Sequence, residues 1–171
     1  YLATDYFACS KKAGENLFGS KGVCSERFII IKNAIEADKY IFNSAERKNI
    51  RNTYCISTEN VVLGCVGRLD PVKNIPFTID VFEKYHEINE KSELWIIGDG
   101  VQKEELIKYI NKKKLEEVIM LWGQRADISD LMQGMDVLLF PSLHEGLGIA
   151  AVEAQAAGLP VYASVNIPEE T

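Results

Sequence analysis

The sequence has little of what marks several classes of protein. In 171 residues it carries only four cysteines and two histidines. Cys9, Cys24, Cys55 and Cys65 are widely spaced and form no C-x-x-C pair, which argues against a disulfide framework or a zinc site and for a reducing, cytoplasmic setting. Apolar runs are short, and none approaches the ~20 residues that cross a bilayer. Positive charge is in deficit: 19 Lys and Arg stand against 25 Asp and Glu, a net charge of -6. That balance excludes broad attraction to nucleic acid or an acidic membrane. Any phosphate must be recognised locally, by a few basic groups and backbone N–H donors. There is no internal repeat, no low-complexity tract and no basic-then-apolar leader. The chain opens on Tyr1 and is expected to be a piece of a longer protein.

What is present is ordinary globular material, with 47% hydrophobic and 26% charged residues. This suffices for one domain with a buried core plus a remnant of another. From Asn60 onward, short apolar runs alternate with amphipathic segments. Strands are expected at Val61–Val66, Leu94–Ile97, Val118–Trp122, Val137–Phe140 and Pro160–Ala163. Between them, Ile75, Ile79 and Phe82 recur at helical spacing behind a cap at Asn74, with Pro76 tolerated in the first turn. Leu106, Ile107 and Ile110 mark a second helix, Asp127–Gln133 a short third, and Gly148–Ala157 a fourth closed by Gly158. Strands this apolar are buried on both faces, so the alternation predicts an α/β fold, a Rossmann-like doubly wound parallel sheet. Ligands of such sheets sit at the carboxyl ends of the strands, where the glycine-rich and charged loops fall.

The first 32 residues read differently. A strand at Asp5–Cys9, a helix at Ser10–Phe18 capped by Ser10, a loop at Gly19–Gly22 and a strand at Phe28–Ile31 are too little to form a domain. A polar stretch and a charged helix at Ala45–Thr53 follow. Cys65, Trp95 and Trp122 are expected in the core and His86 on the surface.

The most informative segment is His144-Glu145-Gly146-Leu147-Gly148 with Glu153, which follows a strand and opens a helix. Gly146 and Gly148 allow close approach to the backbone, and the free N–H groups of a helix start suit an anion such as a diphosphate. Glu153 stands among Val152, Ala154, Ala156 and Ala157 with no other charge in its helix, which is unlike a solvated face. Two carboxylates flanking an anion site fit a ligand with hydroxyls on both sides of its phosphates, as in a nucleotide sugar. Arg68 and Lys73 lie in the loop after the first strand of the same sheet and can reach a diphosphate from the opposite side. Gly98-Asp99-Gly100 reads as a tight strand ending, and Gly123-Gln124-Arg125 as a loop able to hold a nucleobase edge. His144 reads as a loop residue.

These residues together resemble glycosyltransferase family 4, a retaining family of GT-B fold. The matching segments are Gly67-Arg68-Leu69 with Lys73-Asn74, Ile97-Gly98-Asp99-Gly100, Glu145-Gly146-Leu147-Gly148 with Glu153-Ala154, and Gly158-Leu159-Pro160-Val161. Asn33-Ala34-Ile35-Glu36 resembles the family's Asn-Gly-Ile-Asp, with Ala34 for the usual Gly. The resemblance is to capsular and exopolysaccharide enzymes and implies the following roles. Arg68 and Lys73 hold the donor diphosphate, Glu153 binds the ribose and Glu145 contacts the sugar as the catalytic group. Gly123, Gln124 and Arg125 pack on the base, and Gly146, Leu147 and Gly148 complete the substrate site. No cofactor and no metal are implied, and no Asp-x-Asp motif is present.

Residues 1–32 would be the remnant of an acceptor domain with its linker, and 33–171 a donor domain lacking its last helices. By itself such a piece is expected to bind nucleotide without transferring sugar. The full-length enzyme would take a UDP-sugar donor and a saccharide or lipid-linked acceptor. It would bind no nucleic acid, and peripheral association with the inner face of the cytoplasmic membrane is compatible with that role. Two alternatives stay open: a UDP-sugar 2-epimerase of the same fold, and a non-catalytic nucleotide-binding α/β module.

Overall fold

A computed structural model describes residues 4–171. Two parallel sheets are formed. The smaller pairs β1 (Tyr6–Ala8) with β2 (Phe28–Ile30), connected through α1 (Lys11–Val23). The larger contains β3 (Val61–Val66), β4 (Ser92–Ile97), β5 (Ile119–Gly123), β6 (Val137–Phe140) and β7 (Val161–Ala163), in the order β5-β4-β3-β6-β7. The connecting helices are α3 (Ile75–His86), α4 (Lys103–Lys113), α5 (Ile128–Gly134) and α6 (Ile149–Ala156), while α2 (Ser44–Thr53) precedes β3.

Alternation along the strands divides the core in two. Val62, Val66, Trp95, Ile97, Leu138 and Phe140 face one side, under Ile50 of α2, Leu131 and Met132 of α5 and Ala151 and Ala154 of α6. Leu63, Cys65, Leu94, Ile96 and Leu139 face the other, under Ile75, Ile79 and Phe82 of α3 and Leu106 and Ile110 of α4. Both faces of β3 and β4 are therefore covered, as the continuous apolar runs anticipate. Cys65 is a core residue, and burial pushes its thiol up to about 11.

Several local expectations need correction. Gly19–Gly22 is not a loop: α1 runs through it with a kink at Gly19, whose φ is 69° and ψ 172°. Edge-on packing of Phe18 against Tyr6 and Phe28 holds the helix to the small sheet. Asn74 occupies the start of α3, but in a left-handed conformation with no side-chain cap; its amide instead donates to the Pro141 carbonyl at 3.4 Å. Trp122 is only half-buried, under the Arg125 guanidinium at 5.6 Å. His86 is also half-buried, stacked on Phe82 and 2.9 Å from the Ser92 hydroxyl.

One polar cluster locks α2 to the main sheet. Arg47 and Arg51 reach Asp136 at 2.6 and 3.2 Å, and the same carboxylate accepts from the Val62 N–H at 2.8 Å. Arg51, whose side chain is 6% exposed, also donates to the carbonyls of Gly134, Ser57 and Asn60. Removing the Asp136 carboxylate leaves the buried Arg51 charge without its partner, and with Asp136 itself 30% exposed this costs about 1–3 kcal/mol. Asp136→Ala is therefore expected to lower unfolding stability by that amount in urea titration, whereas Lys91→Ala, which breaks the exposed pair with Glu59, should change it by less than about 1 kcal/mol.

Candidate functional site

The strand order reverses beside β3: the chain moves outward through β4 to β5, then returns to place β6 on β3's other flank. Loops leaving the carboxyl ends of β3 and β6 diverge at such a point and leave a crevice. The loop after β3 carries Arg68 and Lys73, and the loop after β6 carries Glu145 to Gly148.

Lys73 and Glu145 meet across this crevice. Their Nζ and Oε1 are 2.5 Å apart, with side chains 18% and 10% exposed, and Lys73 also lies over the Phe140 ring. Lys73 is placed by a short 3-10 turn at Pro71–Lys73, capped by Asp70, whose side chain accepts from the Lys73 N–H. Arg68 is placed differently. Its side chain is 83% exposed, 3.3 Å from Asp70. The structure thus separates two cations that lie close in sequence: one is half-sunk and paired with Glu145, the other is exposed at the rim beside Asp70.

The Arg68 loop is fixed from beneath by the Gly98-Asp99-Gly100 segment. Gly67 N–H donates to Ile97, Leu69 N–H to Asp99 and Gln102 N–H to Leu69. Gly98, at φ 143°, passes so close that a Cβ there would fall 1.8 Å from the Gly67 carbonyl oxygen. These glycines end the strand and support the neighbouring loop, as their spacing suggests.

Gly148, at φ 79°, starts α6 without a side-chain cap. The first-turn N–H groups of a helix have no intrahelical partner and face outward from its start. The preceding loop is held by the Ser10 hydroxyl, which donates to the Gly146 carbonyl, and by Thr171, which donates to the Leu147 carbonyl. Asn16 of α1 lies 2.9 Å from His144 Nε2, so His144 is an exposed loop residue facing α1.

Glu153 lies on α6 and accepts a hydrogen bond from the Tyr40 hydroxyl at 2.7 Å. It lines a hollow of about 290 Å³ with Tyr40, Lys39, Ala126, Ile128 and Ile149. A neighbouring hollow of about 380 Å³ is lined by Gly67, Arg68, Gly98, Gln124, Arg125 and Ile128. The two share Ile128 and adjoin along the carboxyl edge of the sheet. Gly123 turns at φ 67° to deliver Gln124 to the surface. Arg125 is committed to Asp127 through two nitrogens, and this bonding holds the Asp127 carboxyl below the usual range. A third hollow, of about 350 Å³ between α3 and β7, is lined by residues such as Phe77, Val81, Leu143 and Tyr162 and has no charged lining.

The sequence-derived residues are thus distributed along one edge: Arg68, Gln124 and Arg125 in one hollow, Glu153 in the next, and Lys73 with Glu145 at the crevice. Sequence reasoning missed Tyr40, and it missed Gln133, which fixes Tyr40 in place. No group of three or more His, Cys, Asp or Glu among the described residues is arranged to hold a metal ion.

Comparison with known proteins places the chain in a family. The sequence pattern described as glycosyl transferases group 1 matches residues 46–169. The chain belongs to the glycosyl transferases group 1 family. It is 31% identical over 168 residues to EpsF of Bacillus subtilis (strain 168), a protein named as a glycosyltransferase, covering 98% of this chain and 44% of that one. It is 30% identical over 139 residues to the O-antigen biosynthesis glycosyltransferase WclY of Escherichia coli, covering 81% of this chain and 37% of that one. The structure of Anabaena Alr3699/HepE in complex with UDP and glucose superposes with a TM-score of 0.85 at 26% identity, over 97% of this chain and 45% of that one. WaaG, a glycosyltransferase involved in lipopolysaccharide biosynthesis, shares the fold with a TM-score of 0.82 at 22% identity, over 95% of this chain and 44% of that one. The chain spans less than half the length of these relatives. Group 1 membership favours neither the 2-epimerase nor the non-catalytic module.

The support beneath the Arg68 loop is open to test. Gly98→Ala must move the Gly67 peptide and adopt a φ that side chains resist, and it should cost at least about 2 kcal/mol. A fall in the urea midpoint, with an unchanged slope, is the expected reading.

Proposed function

We propose that this chain supplies the donor half of a glycosyltransferase of family 4 and GT-B fold, acting with retention on a nucleoside-diphosphate sugar, UDP-linked in the first instance. The observation that carries the reading is the layout of one sheet edge. One hollow carries Gln124, Arg125 and Arg68, the adjoining hollow carries the Glu153 carboxylate, and an uncapped helix start at Gly148 and the Lys73–Glu145 pair lie on the same edge. A nucleotide sugar presents a base, ribose hydroxyls, a diphosphate and hexose hydroxyls, and groups suited to each are gathered here. The UDP and glucose bound by HepE support the choice of uridine nucleotide.

In this reading Arg68, Lys73 and the N–H groups before α6 stabilise the diphosphate as its bond to the anomeric carbon breaks. Charge-assisted donors of this kind contribute most in a site that excludes water. They occupy the place that a divalent cation takes in metal-dependent transferases. Glu145 meets the sugar hydroxyls, and Glu153 accepts from the ribose. A saccharide or lipid-linked acceptor, held by the remainder of the protein, supplies the hydroxyl that bonds to the anomeric carbon and gives up its proton.

Calorimetric titration of residues 1–171 with UDP in excess EDTA tests the first step, and undiminished binding is expected. Loss of binding on chelation would put a metal into the site and overturn the assignment of Arg68 and Lys73. Arg68→Ala and Lys73→Ala should each weaken UDP about tenfold or more while leaving uridine nearly unchanged. Glu153→Ala should weaken UDP and uridine alike. A similar loss of uridine affinity in all three variants would contradict this division of roles.

A further inference from the structure

Tyr40 lies in the segment between the two sheets, immediately after a 3-10 turn at Ala37–Lys39. Among the described residues it is the one aromatic side chain lining the Glu153 hollow, and its hydroxyl reaches a carboxylate 113 residues away in sequence. Its ring packs on the main core cluster beside α5 and α6, so its position is set by packing as well as by the hydroxyl bond.

The backbone around Tyr40 is clamped as well. Gln133 is 4% exposed and uses both ends of its amide on this segment. Its Nε2 donates to the Tyr40 carbonyl at 3.1 Å, and its Oε1 accepts from the Asn43 N–H at 2.9 Å. Asn43 in turn caps α2 by accepting from the N–H groups of Ala45 and Glu46. Tyr40 therefore cannot drift away from Glu153 without breaking a buried amide pair. Burial, and next the bond to Glu153, push the Tyr40 phenol well above its ordinary range, so the hydroxyl stays protonated and donates. Among the described residues Glu153 accepts no other hydrogen bond from a side chain.

We infer that Tyr40 is a positioning residue for the nucleotide: it occupies one oxygen of Glu153 and orients the carboxylate so that the other oxygen accepts from a ribose hydroxyl. This rests on the nucleotide-sugar reading of the site. A free carboxylate on a helix rotates between orientations, and ordering it on binding carries an entropic cost. Holding the group in advance removes that cost. The arrangement selects for a ligand that presents a hydroxyl donor to the remaining oxygen, and it does so from the inter-sheet segment rather than from the glycine loops that approach the phosphates.

The experiment compares UDP with 2′,3′-dideoxy-UDP, which lacks the hydroxyls that Glu153 would meet, on the wild-type chain and on Tyr40→Phe. The phenylalanine keeps the packed ring and removes only the hydroxyl. Tyr40→Phe should weaken UDP about fivefold, the effect of one hydrogen bond, and leave the dideoxy nucleotide unchanged. In a Glu153→Ala background the same substitution should have no further effect on UDP. Equal weakening of both nucleotides, or a loss that persists without Glu153, would mean that the hydroxyl acts through the general shape of the hollow and would overturn the proposal. Unchanged UDP affinity in Tyr40→Phe would overturn it too. If the wild-type chain does not bind UDP at all, the nucleotide reading fails and the proposal fails with it, an outcome distinct from the others.

Discussion

The geometry of the site depends on the reversal of strand order beside β3. Parallel strands force every connection to cross a face of the sheet and return, and right-handed crossovers on both sides of a central strand leave its neighbours' loops pointing apart. The Lys73–Glu145 pair spans that gap. Because β3 and β4 are buried on both faces, their ends cannot shift without disturbing two apolar layers, and the loops inherit that rigidity. The Gly67 and Gly98 backbones, nearly in contact, extend it by one more residue beyond the strand ends.

Charge around the site is balanced group by group. Arg68 faces Asp70, Lys73 faces Glu145, and Arg125 faces Asp127. In a chain of net charge -6 this matching leaves no large positive field to gather anions from solution. An anion entering the crevice has to compete with carboxylates already in place. A ligand with hydroxyls as well as phosphates can do so while leaving those carboxylates satisfied, because a hydroxyl donates where a bare phosphate cannot. Selectivity and weak general anion binding thus have the same origin.

The main sheet was legible because every strand but β7 is a short apolar run stopped by glycine or proline, and the period of two survives in which core layer each residue joins. The two glutamates were legible because Glu153 is isolated in an alanine-rich helix. Other features depend on distant partners and leave no local mark. Gln133 reads as an ordinary polar residue of a short helix until its amide is found spanning Tyr40 and Asn43. Tyr40 opens the run Tyr40-Ile41-Phe42, and nothing local distinguishes it from its two neighbours, which stay exposed. Arg68 and Lys73 look alike in sequence, yet a single 3-10 turn capped by Asp70 draws one inward and leaves the other in solvent. The glycines at Gly19 and Gly22 signalled a break, and the chain does leave helical geometry at Gly19, but they gave no sign that the helix resumes beyond it to Val23.

The contacts that hold the glycine loop before α6 join positions far apart along the chain. Ser10 meets Gly146 across 136 residues, Asn16 meets His144 across 128, and the Lys11 N–H meets Glu170 across 159. Closing loops of that length is entropically costly and comes late, after the local βαβ pairings have formed. The main sheet can therefore assemble while the loop before α6 is still loose, and the loop takes its final shape when β1 and α1 dock. During synthesis β1 and α1 emerge before α6 and cannot anchor the loop that precedes it until that loop has followed. The glycine loop before α6 is thus among the last parts of the molecule to mature, and a chain halted before α6 would hold most of the main sheet with that loop still unanchored.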